Sequence, residues 1–421
     1  MQVAARGGRM DEAKIVIAGG GMVAGYAAKQ LAELGLKSGE LAILSADNSI
    51  PYERPPLSKG FLAGRDTEES IRINAESFYR DHGIEVRLGC QISWVNSQQK
   101  RLHLASGAQF GFNRLGIATG ARVRTLEIPG AELGNVHYLR SLDDSKAIRQ
   151  NAQNVKRAVV IGSGFIGMEA AAVLAQKGIE VTMVLRDDRI WKQFFSPQMS
   201  GFFEGYYEAR GVRFIREATV KQLLGDRTVS SAVLADGQKI ACEMLVAGIG
   251  VTPVTELLVN SGVEVADGVV VNEYLESSRP DIFAAGDVAS YKDVLFGTRR
   301  RVEHWDNAVS QGQHCARVLM GERKPFRHVP YFFSDVFDLS YEFWGDPSGA
   351  DETVHRGDLS SSSFSVWWLK EGRVVAAFVM NRPEEERDAA PKWIELGQRV
   401  SAAKLADASS SLSAAAEHSS S

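Results

Sequence analysis

Two glycine clusters, each set between a short β-branched run and an alanine-rich stretch, are the residues best placed to do chemistry. The first reads Lys14-Ile-Val-Ile-Ala-Gly-Gly-Gly-Met-Val-Ala-Gly-Tyr-Ala-Ala, with Gly19, Gly21 and Ala24 in the slots of a G-x-G-x-x-G/A pattern. The second reads Ala158-Val-Val-Ile-Gly-Ser-Gly-Phe-Ile-Gly-Met-Glu-Ala-Ala. There Gly162, Gly164 and Gly167 take the same slots, with Phe165 and Ile166 between them. In such a pattern the first position makes a tight strand-to-helix turn. The second lets the backbone approach a pyrophosphate, and the third lets helix pack on strand. The N–H groups at the helix start carry partial positive charge and bind phosphate. One such match is weak, because glycine serves ordinary turns as well. Two in the same context predict two dinucleotides on one chain, a flavin and a nicotinamide nucleotide.

Strands over 13–18, Leu41 to Ser45, Ile84 to Leu88 and Arg101 to Leu104, with a helix over 22–35, would position the first cluster. Strand 158–161, helix 165–177 and strand 180–185 would position the second. Three further runs end in glycine turns. Leu115-Gly-Ile-Ala-Thr-Gly places Ala118, Thr119 and Gly120 at a strand end. Met244-Leu-Val-Ala-Gly-Ile-Gly ends on Gly250, and Asp281-Ile-Phe-Ala-Ala-Gly-Asp ends on Asp287. The late position of Asp287 fits a flavin domain interrupted by a nicotinamide domain, in which a strand-end Asp meets the ribityl chain and phosphates. Beyond Arg323 aromatic strands alternate, and Glu371-Gly372 between two of them predicts a hairpin. The fold class read from this order is α/β. An FAD domain (10–124 and 250–324) is interrupted by an NAD(P)H domain (125–249) and followed by a C-terminal α+β domain (325–400). Residues 1–9 and the Ser/Ala-rich 401–421 are expected to be disordered.

A chain of 421 residues with 44% hydrophobic content can build such cores, and a net charge of −4 gives no electrostatic reason to bind nucleic acid or membrane. No apolar run reaches membrane-spanning length. The basic start, Met1 to Arg9, lacks the apolar segment of a secretory signal. The three cysteines, Cys90, Cys242 and Cys315, form no C-x-x-C or C-x4-C pair and no metal-ligand spacing. They point to a reducing, cytoplasmic setting and to electrons passed on without a protein disulfide.

From about 12 to 395 the chain resembles the two-dinucleotide-binding flavoproteins that include ferredoxin-type reductases, apoptosis-inducing factor and monodehydroascorbate reductase, the last most of all. The resemblance lies in Gly19-Gly-Gly-Met-Val-Ala-Gly-Tyr, Gly39-Glu-Leu-Ala-Ile, Pro51-Tyr-Glu-Arg-Pro-Pro-Leu-Ser-Lys, Phe203-Glu-Gly-Tyr-Tyr, Arg301-Val-Glu-His-Trp-Asp-Asn-Ala and Phe343-Trp-Gly-Asp. It implies that Lys59 serves the flavin face and pairs with Glu169, the two catalytic candidates. Arg54 would be their companion, in a loop that Pro55 and Pro56 stiffen. Glu303, His304 and Trp305 would line the pyrimidine edge, with His304 packing rather than exchanging protons. A lysine there stabilises reduced flavin, and a glutamate keeps it oriented and charged.

Nucleotide preference is read at the end of each unit's second strand, where an acid suits a ribose hydroxyl and an arginine a 2′-phosphate. Arg186 and Lys192 favour NADPH, whereas Asp187 favours NADH. In the flavin unit the strand ends at Leu44-Ser45 rather than at an acid, with only Asp47 nearby. Three recipients of electrons remain open: a small radical or quinone, a ferredoxin- or rubredoxin-type protein, or a slow, signalling role like that of apoptosis-inducing factor. Arg299 and Arg301 could meet an anionic substrate. Phe333 stands in Pro330-Tyr-Phe-Phe-Ser where plant-type reductases carry a tyrosine, which removes a hydroxyl from the substrate side. A monomer or homodimer is expected.

Overall fold

The β-branched runs form strands and the alanine-rich stretches form helices, joined by the glycines between them. The computed structural model describes residues 11–192 and 194–417. The expectation for 1–9 therefore lies outside the described residues. The chain divides into two compact units. The first holds 11–54, Thr67–Arg122 and Val251–His328; the second holds Pro55–Asp66, Val123–Gly250 and 329–417.

In the first unit the strand Glu12–Ala18 lies parallel between Leu41–Leu44 and Gln109–Ile117, and Ile282–Ala284 adds to the far side of the last. Ala18 is in register with both Leu44 and Ile117, and Ile117 with Ala284. The carboxyl ends of four parallel strands are thus level, the edge at which open α/β sheets bind ligands. Helix Met22–Glu33 follows the first glycine cluster, and its Ala24, Ala27, Ala28 and Leu31 are almost fully buried.

The second unit contains an all-parallel sheet in the order Val212–Ile215, Glu180–Val184, Arg157–Ile161, Met244–Ala247, Val136–Tyr138. Its last part is an antiparallel five-stranded sheet over Tyr331–Met380, backed by helix Glu384–Leu396. The expected hairpin is there. Lys370 pairs with Arg373 across Glu371 and Gly372, whose φ values of 50° and 72° suit the left-handed turn that two-residue hairpins prefer.

Two features depart from the sequence expectation. Segment 55–66 packs with the second unit. The Leu57 carbonyl accepts from Ser145 Oγ at 2.7 Å, the Ala63 carbonyl accepts from Lys177, and the Arg149 guanidinium lies over the Phe61 ring. Residues 401–417, expected to be disordered, instead carry a short helix, Ala402–Ala406, and a turn, Leu412–Ala415. Leu405, Leu412 and Ala415 are buried, and the buried Arg356 donates to the carbonyls of Leu405, Asp407 and Ser410 while pairing with Glu386 at 2.9 Å. A buried guanidinium needs acceptors for its N–H groups; Glu386 takes Nε and the tail carbonyls take the other two nitrogens. No helix among the described residues is long and apolar enough to cross a membrane.

Candidate functional site

In the first unit, Gly19 has φ +125°, and a Cβ there would stand 2.1 Å from the Ala118 carbonyl oxygen. Only glycine makes that turn. A Cβ on Gly20 would fall 2.1 Å from Ser45 Oγ, so the end of the second strand lies directly beneath the loop. Gly21 faces open space, bounded by the Arg54 guanidinium 3.7 Å from where its Cβ would be. Gly21 also N-caps its helix with no side-chain hydrogen bond. Helices Leu142–Asn151 and Pro197–Glu208, by contrast, are capped by Ser141 and Ser196. The helix behind the cluster therefore keeps its N–H groups available to an anion.

Ala118, Thr119 and Gly120 close one side: Thr119 Oγ1 donates to the Val254 carbonyl at 2.7 Å, and the Gly120 carbonyl accepts from Val254 N–H. Asp287 sits in the turn after Ile282–Ala284. The Gly286 N–H before it donates to Gln311 Oε1 at 2.7 Å, and Arg301 donates to the Asp287 carbonyl at 3.2 Å. Arg301, expected at the substrate, also pairs with Asp267 at 3.0 Å and with Glu303. These internal acceptors make it a brace for the Asp287 turn. Arg299 likewise donates to the carbonyls of Val271 and Ser290.

His304 N-caps helix Trp305–Leu319, and burial pushes its imidazole down to about 4, which leaves it neutral. Glu53, which the sequence did not single out, accepts from Trp305 Nε1 at 2.6 Å and from the Tyr26 hydroxyl. It ties the Arg54 segment to the glycine helix and to the His304 helix. Burial, reinforced by Glu53, holds the Tyr26 phenol above its ordinary range.

The second unit repeats the cradle. Gly162 has φ +116°, and its Cβ would meet the Gly248 carbonyl oxygen at 2.2 Å; a Cβ on Gly167 would meet the Gly162 carbonyl oxygen at 2.9 Å. Gly164 faces open space and N-caps Phe165–Gln176 without a side-chain cap. Phe165 packs on Phe332 and Trp191, with centroids 4.5 and 5.2 Å away, while Ile166 is 43% exposed. Gly250, φ +98°, lies by Arg124. After Glu180–Val184, Arg186 is exposed and Asp187 half-buried. Lys192 pairs with Asp188 at 3.1 Å, a contact that draws the Asp188 carboxyl below its usual range.

The same unit brings together Lys59 and Glu169. Pro55–Ser58 form a single tight turn, and the Lys59 N–H donates back to the Pro56 carbonyl at 3.0 Å. Two consecutive prolines preset φ for that turn. Lys59 Nζ meets Glu169 Oε1 at 2.7 Å, with side chains 14% and 5% exposed. The Phe333 ring centroid is 5.2 Å from the same ammonium. Ser58 and Ser334 both donate to Glu169. Neither serine was marked by the sequence. Ser58 adjoins Lys59 and could have been suspected, whereas nothing local betrays Ser334.

Cys90, Cys242 and Cys315 form no disulfide with one another, and burial pushes the Cys242 thiol to about 11 and the Cys315 thiol to about 12, so neither of these two is a thiolate near neutrality.

Both cradles fit a dinucleotide: each has a glycine that no other residue could replace, an uncapped helix start and open space at its second glycine. Residues 13–312 match the family model described as pyridine nucleotide-disulphide oxidoreductase, and residues 331–416 match that of the reductase C-terminal domain. Monodehydroascorbate reductase 4, peroxisomal, of Arabidopsis thaliana is 36% identical over 91% of this chain and 83% of its own. The ferredoxin reductase for the CYP199A2 system from Rhodopseudomonas palustris superposes with a TM-score of 0.91 at 34% identity, over 97% of this chain and 100% of its own. The reductase in a covalent putidaredoxin reductase–putidaredoxin complex gives 0.91 at 30% identity, over 96% and 97%. The chain thus belongs to the pyridine nucleotide-disulphide oxidoreductase family and is an FAD-dependent NAD(P)H oxidoreductase, related to monodehydroascorbate and ferredoxin reductases.

Proposed function

We propose that this enzyme carries electrons from NAD(P)H to a ferredoxin-type protein acting as one-electron acceptor. FAD, when bound, supplies the conversion of one hydride into two single-electron transfers. FAD would be held by Gly19, Gly21, Ala24, Arg54, Ala118–Gly120 and Asp287, with Glu303, His304 and Trp305 at its ring end. Gly162, Gly164, Phe165, Ile166, Gly167 and Gly250 would hold the nicotinamide nucleotide. Lys59 is the cation that serves the reduced flavin, and Glu169 holds it in place. Arg301 acts as a brace rather than a substrate ligand. The work is done in the cytoplasm, without a dithiol relay.

The observation that carries the choice of acceptor is Phe333. It offers an apolar ring beside the Lys59 ammonium and no hydroxyl for a small, hydrogen-bonding substrate. The ferredoxin reductases among the structural neighbours support the same reading. Steady-state NAD(P)H oxidation with a [2Fe–2S] ferredoxin, monodehydroascorbate radical, a quinone and ferricyanide tests it. The ferredoxin should give the highest kcat/KM of the physiological acceptors. A higher value for the ascorbate radical would overturn the reading in favour of monodehydroascorbate reduction, which the 36% identity to that enzyme would then explain.

A further inference from the structure

We infer that Ser334 is a positioning residue for the Lys59–Glu169 pair, acting with Ser58 to fix the Glu169 carboxylate and hence the place of the Lys59 ammonium. This rests on the reading of Lys59 as the cation that serves the flavin. Glu169 is 4% exposed, and Ser58 and Ser334 are 1% and 0% exposed. A carboxylate so deep needs its oxygen lone pairs occupied by donors. Oε1 receives both the Lys59 ammonium, at 2.7 Å, and the Ser334 hydroxyl, at 2.5 Å, and Oε2 receives the Ser58 hydroxyl. One donor would leave the carboxylate free to turn about its last bond; hydroxyls on both oxygens fix its plane. The ammonium, on a flexible four-carbon stem, then has one favourable position.

The two serines reach Glu169 by different routes. Ser58 comes from the proline turn next to Lys59. Ser334 is 165 positions from Glu169 and comes from the edge strand Tyr331–Val336, beside Phe333. The C-terminal sheet therefore contributes both the ring over the ammonium and the hydroxyl on its counter-ion. An apolar side chain would suit a position with no exposure better than serine does, unless a buried acceptor needs its hydroxyl. Glu169 is that acceptor.

The test uses FAD-loaded protein and reads the flavin midpoint potential and the stopped-flow rate of flavin reduction by NAD(P)H. Ser334→Ala should lower the potential and slow reduction by about three- to tenfold, the effect of losing one hydrogen bond to a coupled charge. FAD content should not change. Ser334→Thr, which keeps the hydroxyl, should restore most of the rate, and Ser58→Ala should act in the same direction from the other oxygen. In a Glu169→Gln background Ser334→Ala should add little, because the two act as one unit. If Ser334→Ala and Ser58→Ala leave potential and rate unchanged while Lys59→Ala lowers both, the positioning role is wrong and the reading of Lys59 stands. If Lys59→Ala also changes nothing, both fall.

Discussion

The two glycine cradles solve the same steric problem in the same way and then diverge at the next strand. Gly19 and Gly162 have φ values of +125° and +116°, and a Cβ on either would sit 2.1 or 2.2 Å from a neighbouring carbonyl oxygen. Gly21 and Gly164 both face open space. At the end of the second strand the likeness stops. In the first unit that strand ends at Leu44 and is followed by Ser45, fully buried under Gly20, with Asp47 already bonded to Ser49 N–H and the Tyr52 hydroxyl. In the second unit it ends at Val184, and the exposed Arg186 follows two residues on, then Asp187 and a Lys192–Asp188 pair. Pyrophosphate is common to all dinucleotides and is held by backbone, so its cradle has little room to vary. What distinguishes one dinucleotide from another is held by side chains, and there the two units differ.

The largest effects should come from making the cradles unlike each other. Gly21→Val places a side chain where phosphate must approach. The purified protein should lack flavin absorbance even after incubation with FAD. Gly164→Val should remain yellow yet lose reduction by NAD(P)H by about a hundredfold or more. If Gly164→Val also loses its flavin, the assignment of one cofactor to each cradle is wrong. A smaller effect is expected where the cradles already differ. Arg186→Ala should weaken NADPH by about tenfold while leaving NADH nearly unchanged, as loss of a charge-assisted hydrogen bond to a 2′-phosphate predicts. Equal weakening of both nucleotides, measured by titration of the oxidised enzyme, would leave discrimination to Asp187.

Next comes pH. His304 is held neutral in the folded chain, at about 4 instead of its ordinary 6.5. Unfolding therefore takes up a proton at pH values between these two, and stability falls as pH is lowered through that window. Denaturant midpoints for wild type should decline from pH 7 to 4.5, and His304→Gln should decline less; parallel curves would remove His304 as a cause. The smallest effect should come from replacing all three cysteines with serine, which should leave stopped-flow flavin reduction within about twofold of wild type. A large loss would reveal a thiol relay and undo the separation of this chain from disulfide-using relatives.

Much of the first coordination of the site was legible in the sequence because its causes are local. A glycine forced to positive φ, a helix start without a cap and a proline turn are each made within a few residues of the motif that signals them. The Glu371-Gly372 hairpin was legible for the same reason. The order of the tail is not legible because serine and alanine suggest disorder unless their packing partners are known. The acceptors for Arg356 lie in that tail, and no periodicity marks them. Glu53 carries no local signal beside the more conspicuous Arg54, since only the fold brings Tyr26 and Trp305 to it.

By itself, then, the sequence determined two dinucleotide cradles, the strand ends that carry them and the absence of a cysteine pair at redox spacing, because each follows from backbone sterics or from counting. The tertiary structure alone decided which hydroxyls join Lys59 on the buried carboxylate of Glu169. Glu169 draws Ser58 from 111 positions away and Ser334 from 165. A charge taken out of water must collect its partners from wherever the chain passes.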